Sequence, residues 1–240
     1  MTRLPPVYDR IRKIVDWTPK SGKLLDLGCD RGDITVRYKA KAKQVFGVDN
    51  NPDAIRDAKK LHKGVTFVLA QGEKLPFPDN SFDTVVMGDV LEHVADEEQT
   101  ISEVYRVLKP NGNLVLSVPH KGLFRFLDSF NMKFAFPRVY KWWKGKKYNK
   151  KVYDIQPWHR HYSLAELKKL FGARFAVKRV HRGGLIAYPV AWILGDALSD
   201  IGKGNFIRKP MDLVRHAEYQ IGFGPLGYTI LIVAQCRKDF

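Results

Sequence analysis

The chain has 240 residues, 45% of them hydrophobic, enough for one sizeable core with an elaboration. Its 41 Lys and Arg against 25 Asp and Glu give a net charge of +16, which suits polyanions (nucleic acid, anionic lipid or phosphorylated substrates) without choosing among them; a basic source proteome would give the same charge with no dedicated partner. Two cysteines exclude a disulfide framework or a cysteine metal cluster, and the longest apolar run, 185–194, is ten residues interrupted by Pro189, short of the roughly 20 that cross a bilayer.

From the amino end, 5–17 reads as an opening helix with Pro near its start and apolar residues on one face. Thr2–Lys20 is amphipathic and charged, unlike a secretory leader, so a cytoplasmic protein with buried, reduced thiols is expected. Strands are expected near 23–27, 44–48, 65–70, 82–87 and 113–118, with helices near 32–40, 51–62 and 91–108. Asn51-Pro52-Asp53 supplies a cap, a first-turn Pro and an acid for the second of these helices. Lys109-Pro110-Asn111-Gly112 ends the third and launches a strand. Alternation of this length predicts a doubly wound α/β fold with a parallel sheet and right-handed crossovers. Regularity breaks after Pro119. A helix at 163–171, with a Ser163/Glu166 capping box, a strand at 174–181 and a closing strand at 226–236 follow. The stretches 120–160 and 183–225 read as cap insertions on a single domain of residues 1–240.

The segment 24–32, LLDLGCDRG, is a short apolar strand that stops at a tight turn and opens a helix, the position of the ligand crevice in a doubly wound sheet. A dinucleotide fingerprint would need glycine at 30, where Asp30 stands, so the turn is not built to press its backbone on a pyrophosphate. A carboxylate at the strand end suits a cationic ligand without phosphate. Asp26, Gly28 and Gly32 resemble the first motif, D-x-G-x-G-x-G, of the class I S-adenosylmethionine (SAM)-dependent methyltransferases; Asp30 departs from it at the middle glycine, although Asp tolerates positive φ. The resemblance implies a seven-stranded, mostly parallel Rossmann-like sheet and SAM as cofactor. It implies that Asp49, 23 residues after Asp26, accepts both ribose hydroxyls. It groups Cys29, in the turn, and Asn50, beside Asp49, with the cofactor contacts.

Residues 70–94 resemble the second motif of small-molecule methyltransferases, especially those of quinone biosynthesis. On that resemblance Gln71 and Gly72 read the adenine edge, Gln71 replacing the common Asp; Leu75, Pro76 and Phe77 pack around the ring; Asp83 is structural; and Asp89 faces the methionine part of SAM. Residues 107–120 fit the third motif, and 158–171 resembles a family segment H-x-R-H-[FY]-[ST].

In-line alignment of acceptor, methyl carbon and sulfur can supply up to about 7–11 kcal/mol of barrier lowering. A hydroxyl acceptor also needs its proton removed, and histidine titrates in the right range. His161, His120, His159 and His93 are the candidates, His161 first because Arg160 and Tyr162 flank it; each also reads as a structural histidine. No histidine–carboxylate spacing indicates a metal. The segment 124–151 interleaves aromatics with Lys and Arg, and reads as an interfacial patch built on Trp142 and Trp143, a surface for RNA, or a lid packed on the core. The apolar 185–194 stretch tilts this toward lipid. The expected function is SAM-dependent methylation, on oxygen, of a small or amphiphilic acceptor: a lipid-linked sugar, quinone or isoprenoid, handled at an anionic membrane surface. The alternatives are an RNA or protein methyltransferase and a SAM-binding protein without turnover.

Overall fold

A computed structural model describes residues 9–128, 137–138, 159–187, 190 and 204–238. The chain divides into two compact units: Met1–Val118, Leu164–His181 and Leu231–Phe240 form the first, Pro119–Ser163 and Arg182–Ile230 the second.

The first unit is organised by β1 (Ser21–Leu27), β2 (Ala42–Asp49), β3 (Thr66–Leu69), β4 (Phe82–Gly88), β5 (Leu108–Pro119), β6 (Phe175–Gly183) and β7 (Thr229–Cys236), in a seven-stranded sheet of order β3-β2-β1-β4-β5-β7-β6. The first five strands run parallel, with Leu24 opposite Val45 on one side and Thr84 on the other. The strand order reverses at β1, between β2 and β4, which puts a crevice beyond the carboxyl end of β1. The last four residues of β1 are buried, as a central parallel strand covered on both faces requires. Leu24, Val45, Val86, Val115 and Leu231 share one core cluster with Ile14 of α1 (Asp9–Trp17) and with Tyr38.

The crossover helices show the expected chemistry at their starts. In α2 (Pro52–Leu61), the Asn51 side chain accepts from the N–H groups of Asp53 and Ala54, with Pro52 at the first helical position. Such a cap contributes about 1 kcal/mol. The expected helix over 32–40 is instead a 3-10 turn, Thr35–Ala40. Thr35, at the start of this turn, donates its hydroxyl to the buried Asp26 carboxylate at 2.6 Å. The helix expected from 91 begins later, as α3 (Glu97–Val107), because Asp96 is the residue that caps it, accepting from Gln99 N–H. Glu92 and His93 therefore lie in a turn rather than a helical first turn. Lys109–Gly112 is absorbed into β5, where the ladder to β4 shifts register between Phe82 and Thr84. The later elements are α4 (Leu164–Phe171) and α5 (Gly204–Gln220).

Cys29 and Cys236 are free and buried. Among the described residues no helix is long and apolar enough to cross a membrane. Trp142, Trp143 and most of the 124–151 and 185–194 segments lie outside the described residues.

Candidate functional site

Four unusual backbone positions border the crevice, three of them in the turn after β1. Gly28 and Gly32 have φ of +76° and +82°, and Asp30 occupies the same left-handed region at +46°. The departure from the glycine pattern thus leaves the turn intact, as the tolerance of Asp for this region allows. Gly28 also meets a steric limit, since a Cβ there would fall 2.2 Å from Val90 Cγ2. Asp89, at the end of β4, is the fourth, with φ +58°.

Asp49 ties this turn to the next strand. Its Oδ2 accepts from Asp30 N–H at 2.8 Å and its Oδ1 from Asn51 N–H at 2.9 Å. An ionised carboxylate offers about four lone-pair sites, so two acceptor directions remain for further donors. A cleft of about 450 Å³ opens here, within the range typical of small-molecule sites. Gly28, Asp49, Asn50, Gln71, Gly72 and Asp89 all line it, as does His93. Asp26 and Cys29 do not. Asp26 sits behind the turn, buried, with burial pushing its carboxyl up to about 7 against the opposing Thr35 hydrogen bond. Cys29 packs with Ile55, Ala58 and Phe67, and burial pushes its thiol up, so it is an inert core side chain.

The wall beyond Gln71 is stapled to α3. Arg106 donates to the carbonyls of Leu75 (3.0 Å) and Phe77 (2.8 Å), to Asp79 (2.8 Å) and to both oxygens of Glu103. Glu103 in turn accepts from Leu75 N–H at 2.8 Å, and the Arg106 bonds hold its carboxyl below the usual range. Leu75 is buried and Phe77 stacks edge-on against Phe46 and Phe82, so neither joins the cleft lining as expected. Asp83 is structural: burial works against its charge, but Lys109 Nζ and Lys23 N–H, each at 2.7 Å, hold the carboxyl low.

Two participants escaped the sequence reading. Glu73 lines the cleft and accepts from Ala95 N–H at 2.8 Å, joining the segment after β3 to the turn before α3. It sits in the 70–94 motif, two residues from Gln71, so a signal existed. Arg10 of α1 forms an ion pair with Asp89, whose Oδ1 also accepts from Ser117 at 3.3 Å. Nothing in the sequence near Arg10 indicates where α1 docks.

The family profile described as "Methyltransferase domain" matches residues 25–116, the stretch that builds this cleft. The chain is 35% identical over 127 residues to the ubiquinone/menaquinone biosynthesis C-methyltransferase UbiE of Desulfotalea psychrophila, covering 50% of this chain and 51% of that one. Over this stretch the chain is similar to the class I SAM-dependent methyltransferases. A demethylmenaquinone methyltransferase of Symbiobacterium thermophilum is 37% identical over 113 residues, 43% of this chain and 45% of that one. The chain thus spans about half the length of the curated relatives it matches. The solved YcgJ protein of Bacillus subtilis shares the fold, with a TM-score of 0.58 at 20% identity over 95% of this chain and 98% of that one.

SAM is the cofactor of this methyltransferase class. The residues present fit it. Asp49 has acceptor capacity for a ribose diol, Gln71 and Gly72 line the same cleft, and the close Gly28–Val90 approach leaves a smooth cradle at the strand end.

In the second unit, His120 Nδ1 donates to Gly227 O at 2.8 Å, and burial lowers its pKa, which leaves a neutral ring with Nε2 as the basic nitrogen. Asp128 is buried and accepts from His159 Nδ1 at 2.6 Å. His161 Nε2 stands 3.1 Å from the same oxygen, poorly aligned for a hydrogen bond, while its Nδ1 faces His159 O at 3.1 Å. Burial alone would raise the Asp128 carboxyl, but the two histidines outweigh it and hold it well below the usual range. His159 and Asp128 thus join His161 in one buried cluster.

Proposed function

We propose that the chain is a SAM-dependent methyltransferase acting on a small, amphiphilic, hydroxyl-bearing acceptor of the quinol type. The observation that carries this is the cleft at the carboxyl end of β1, β2 and β4, lined by Gly28, Asp49, Gln71 and Asp89. When bound, the cofactor supplies an electrophilic methyl group on a sulfonium that needs no further activation to leave. The chain's own tasks are to bind and orient. Asp49 grips the sugar, Gln71 and Gly72 fix the base, and the turn at Gly28 sets the depth at which the ligand lies. His93 lines the cleft and is exposed, so it is placed to take the acceptor's hydroxyl proton. His120 and His161 belong to the second unit, where their bonds to Gly227 and to the Asp128 cluster suit them to hold that unit's structure.

The sequence favours oxygen as the methylated atom. The names of the Desulfotalea and Symbiobacterium relatives favour a ring carbon as a second reading, and both reactions start from the same deprotonated hydroxyl. We further take residues 1–240 as one methyltransferase domain with cap insertions at about 120–160 and 183–225. The second unit, drawn from 119–163 and 182–230, supports this organisation. An amphiphilic acceptor favours work at a membrane surface over RNA, and the +16 charge suits an anionic one.

The test is turnover with a panel of demethylated quinols, RNA and protein acceptors, following S-adenosylhomocysteine release and locating the methyl group by NMR. Turnover of a quinol that falls about 10²-fold or more in His93→Gln, with SAM affinity retained, is the expected result. Turnover of RNA alone, or SAM binding with no turnover on any acceptor, refutes the proposal.

A further inference from the structure

The cleft at the carboxyl end of β1 has an imbalance of charge. Asp49, Glu73 and Asp89 bring carboxylates to its lining, and among the described lining residues there is no Lys or Arg. Carboxylates suit the sulfonium and ammonium of SAM, but they repel its α-carboxylate, which enters on the same amino-acid chain. A guanidinium reaches this wall from outside the lining. Arg10 of α1 pairs with Asp89, and both belong to the first unit.

The core sets that approach. Ile14, one helical turn after Arg10, is buried in the cluster shared with Leu24, Val86 and Val115. A Cβ on Gly88 would stand 3.6 Å from Ile14 Cδ1, so α1 lies against the end of β4, one residue before Asp89. Asp89 is itself held in place. Its φ is +58°, its N–H donates to Ser117 O at 2.8 Å, and the Ser117 hydroxyl donates to its Oδ1 at 3.3 Å. A non-glycine residue kept in the left-handed region by its surroundings marks a functional position. Ile14 already seats α1, so the ion pair is not needed for docking. With side chains 18% and 25% exposed, the pair is partly withdrawn from water, where desolvation offsets much of the attraction, yet it stays open to a ligand.

We propose that Arg10 binds the α-carboxylate of the cofactor's methionine end, beside Asp89, which takes the α-ammonium. This rests on, and deepens, the reading of the cleft as a SAM site. The ligand's zwitterion meets a protein ion pair of the opposite order, so the charges alternate in sign. A guanidinium has five N–H donors and can serve two carboxylates at once, as Arg106 does with Glu103 and Asp79. Arg10 thus keeps Asp89 while it binds the ligand, and it sets where the methionine chain comes to rest.

The test is calorimetry on the full chain with SAM, with decarboxylated SAM, which lacks only the carboxylate, and with 5′-methylthioadenosine, which lacks the amino-acid chain and the sulfonium charge. No acceptor is present, so turnover plays no part. Wild type is expected to bind SAM at least about tenfold more tightly than decarboxylated SAM. Arg10→Gln should weaken SAM about 30-fold and change the two ligands without a carboxylate by less than about threefold. Arg10→Lys, which keeps the charge, should recover part of the loss. A residue that only anchors α1 would weaken all three ligands alike in Arg10→Gln. That result overturns the proposal, as does an unchanged SAM affinity. The wild-type comparison needs no variant: equal affinities for SAM and decarboxylated SAM overturn the proposal even if Arg10→Gln fails to fold. Failure of wild type to bind any of the three ligands refutes the reading of the cleft itself, and the proposal with it.

Discussion

Replacing Asp49 by Ala tests the cofactor site most directly. In the wild type the two carboxylate oxygens hold Asp30 N–H and Asn51 N–H at 2.8 and 2.9 Å, and their remaining lone pairs are free to take a ribose diol. Two hydrogen bonds from hydroxyls to a charged acceptor contribute about 1.5–2 kcal/mol each, so Ala should cost about 3–4 kcal/mol of SAM affinity, two to three orders of magnitude. The free protein should suffer less. The two backbone donors are solvent-accessible, water replaces the carboxylate, and the stability loss is expected to be about 1 kcal/mol. Asn at this position keeps one carbonyl acceptor and should fall in between. Calorimetry with SAM and with S-adenosylhomocysteine measures the affinities, and thermal unfolding of the ligand-free protein measures the fold. A well-folded Asp49→Ala variant that binds within threefold of wild type would show that the sugar is held elsewhere.

Gly28→Ala should destabilise the chain by about 2–4 kcal/mol, because the residue sits at φ +76° and its Cβ would overlap Val90 Cγ2; the double variant with Val90→Ala should recover part of the loss in denaturant titrations, and full tolerance of Gly28→Ala alone would contradict the described turn. Asp26 has a folded pKa of about 7 against an ordinary 3.8. The native state therefore binds more protons than the unfolded chain between those values, and the contribution to stability is greatest below about pH 4 and lost as pH rises through 7. The full swing is roughly 4 kcal/mol at most. Asp26→Asn, which keeps an acceptor for Thr35, should flatten the decline between pH 5 and pH 8; parallel stability curves for the two proteins would refute the assignment.

The turn after β1 was legible because its chemistry is local. Leu24, Leu25 and Leu27 form a central strand, and Gly28, Asp30 and Gly32 can each adopt positive φ. The position of Asp49 at the end of the second strand was readable from the apolar run before it, whereas its significance came from the family resemblance. The helix start near 91 was misplaced for a physical reason. Leu91 and Val94 continue an apolar pattern, but the Asp96 carboxylate caps Gln99 N–H and so sets the boundary later; the D-x-x-Q spacing was present and outweighed by hydrophobicity. The Thr35–Asp26 bond at the start of the 3-10 turn is a pairing across nine residues that periodicity does not register. Arg10 and Asp128 reach their partners only through tertiary placement, so local sequence held no sign of them, whereas His159 was visible in the 158–171 segment and only its bond to Asp128 was not.

The Arg106 clamp has a consequence for how the ligand arrives. Because Leu75 and Phe77 are already tethered to α3 through their carbonyls, the wall beyond Gln71 is shaped before any ligand arrives. Little ordering entropy is left to lose on association, so capture should be rapid, with a small heat-capacity change. The same tethering makes one guanidinium common to two segments: the carbonyls of 75–77 and the carboxylate of Asp79 are all held from α3, so a change in either segment is felt by the other.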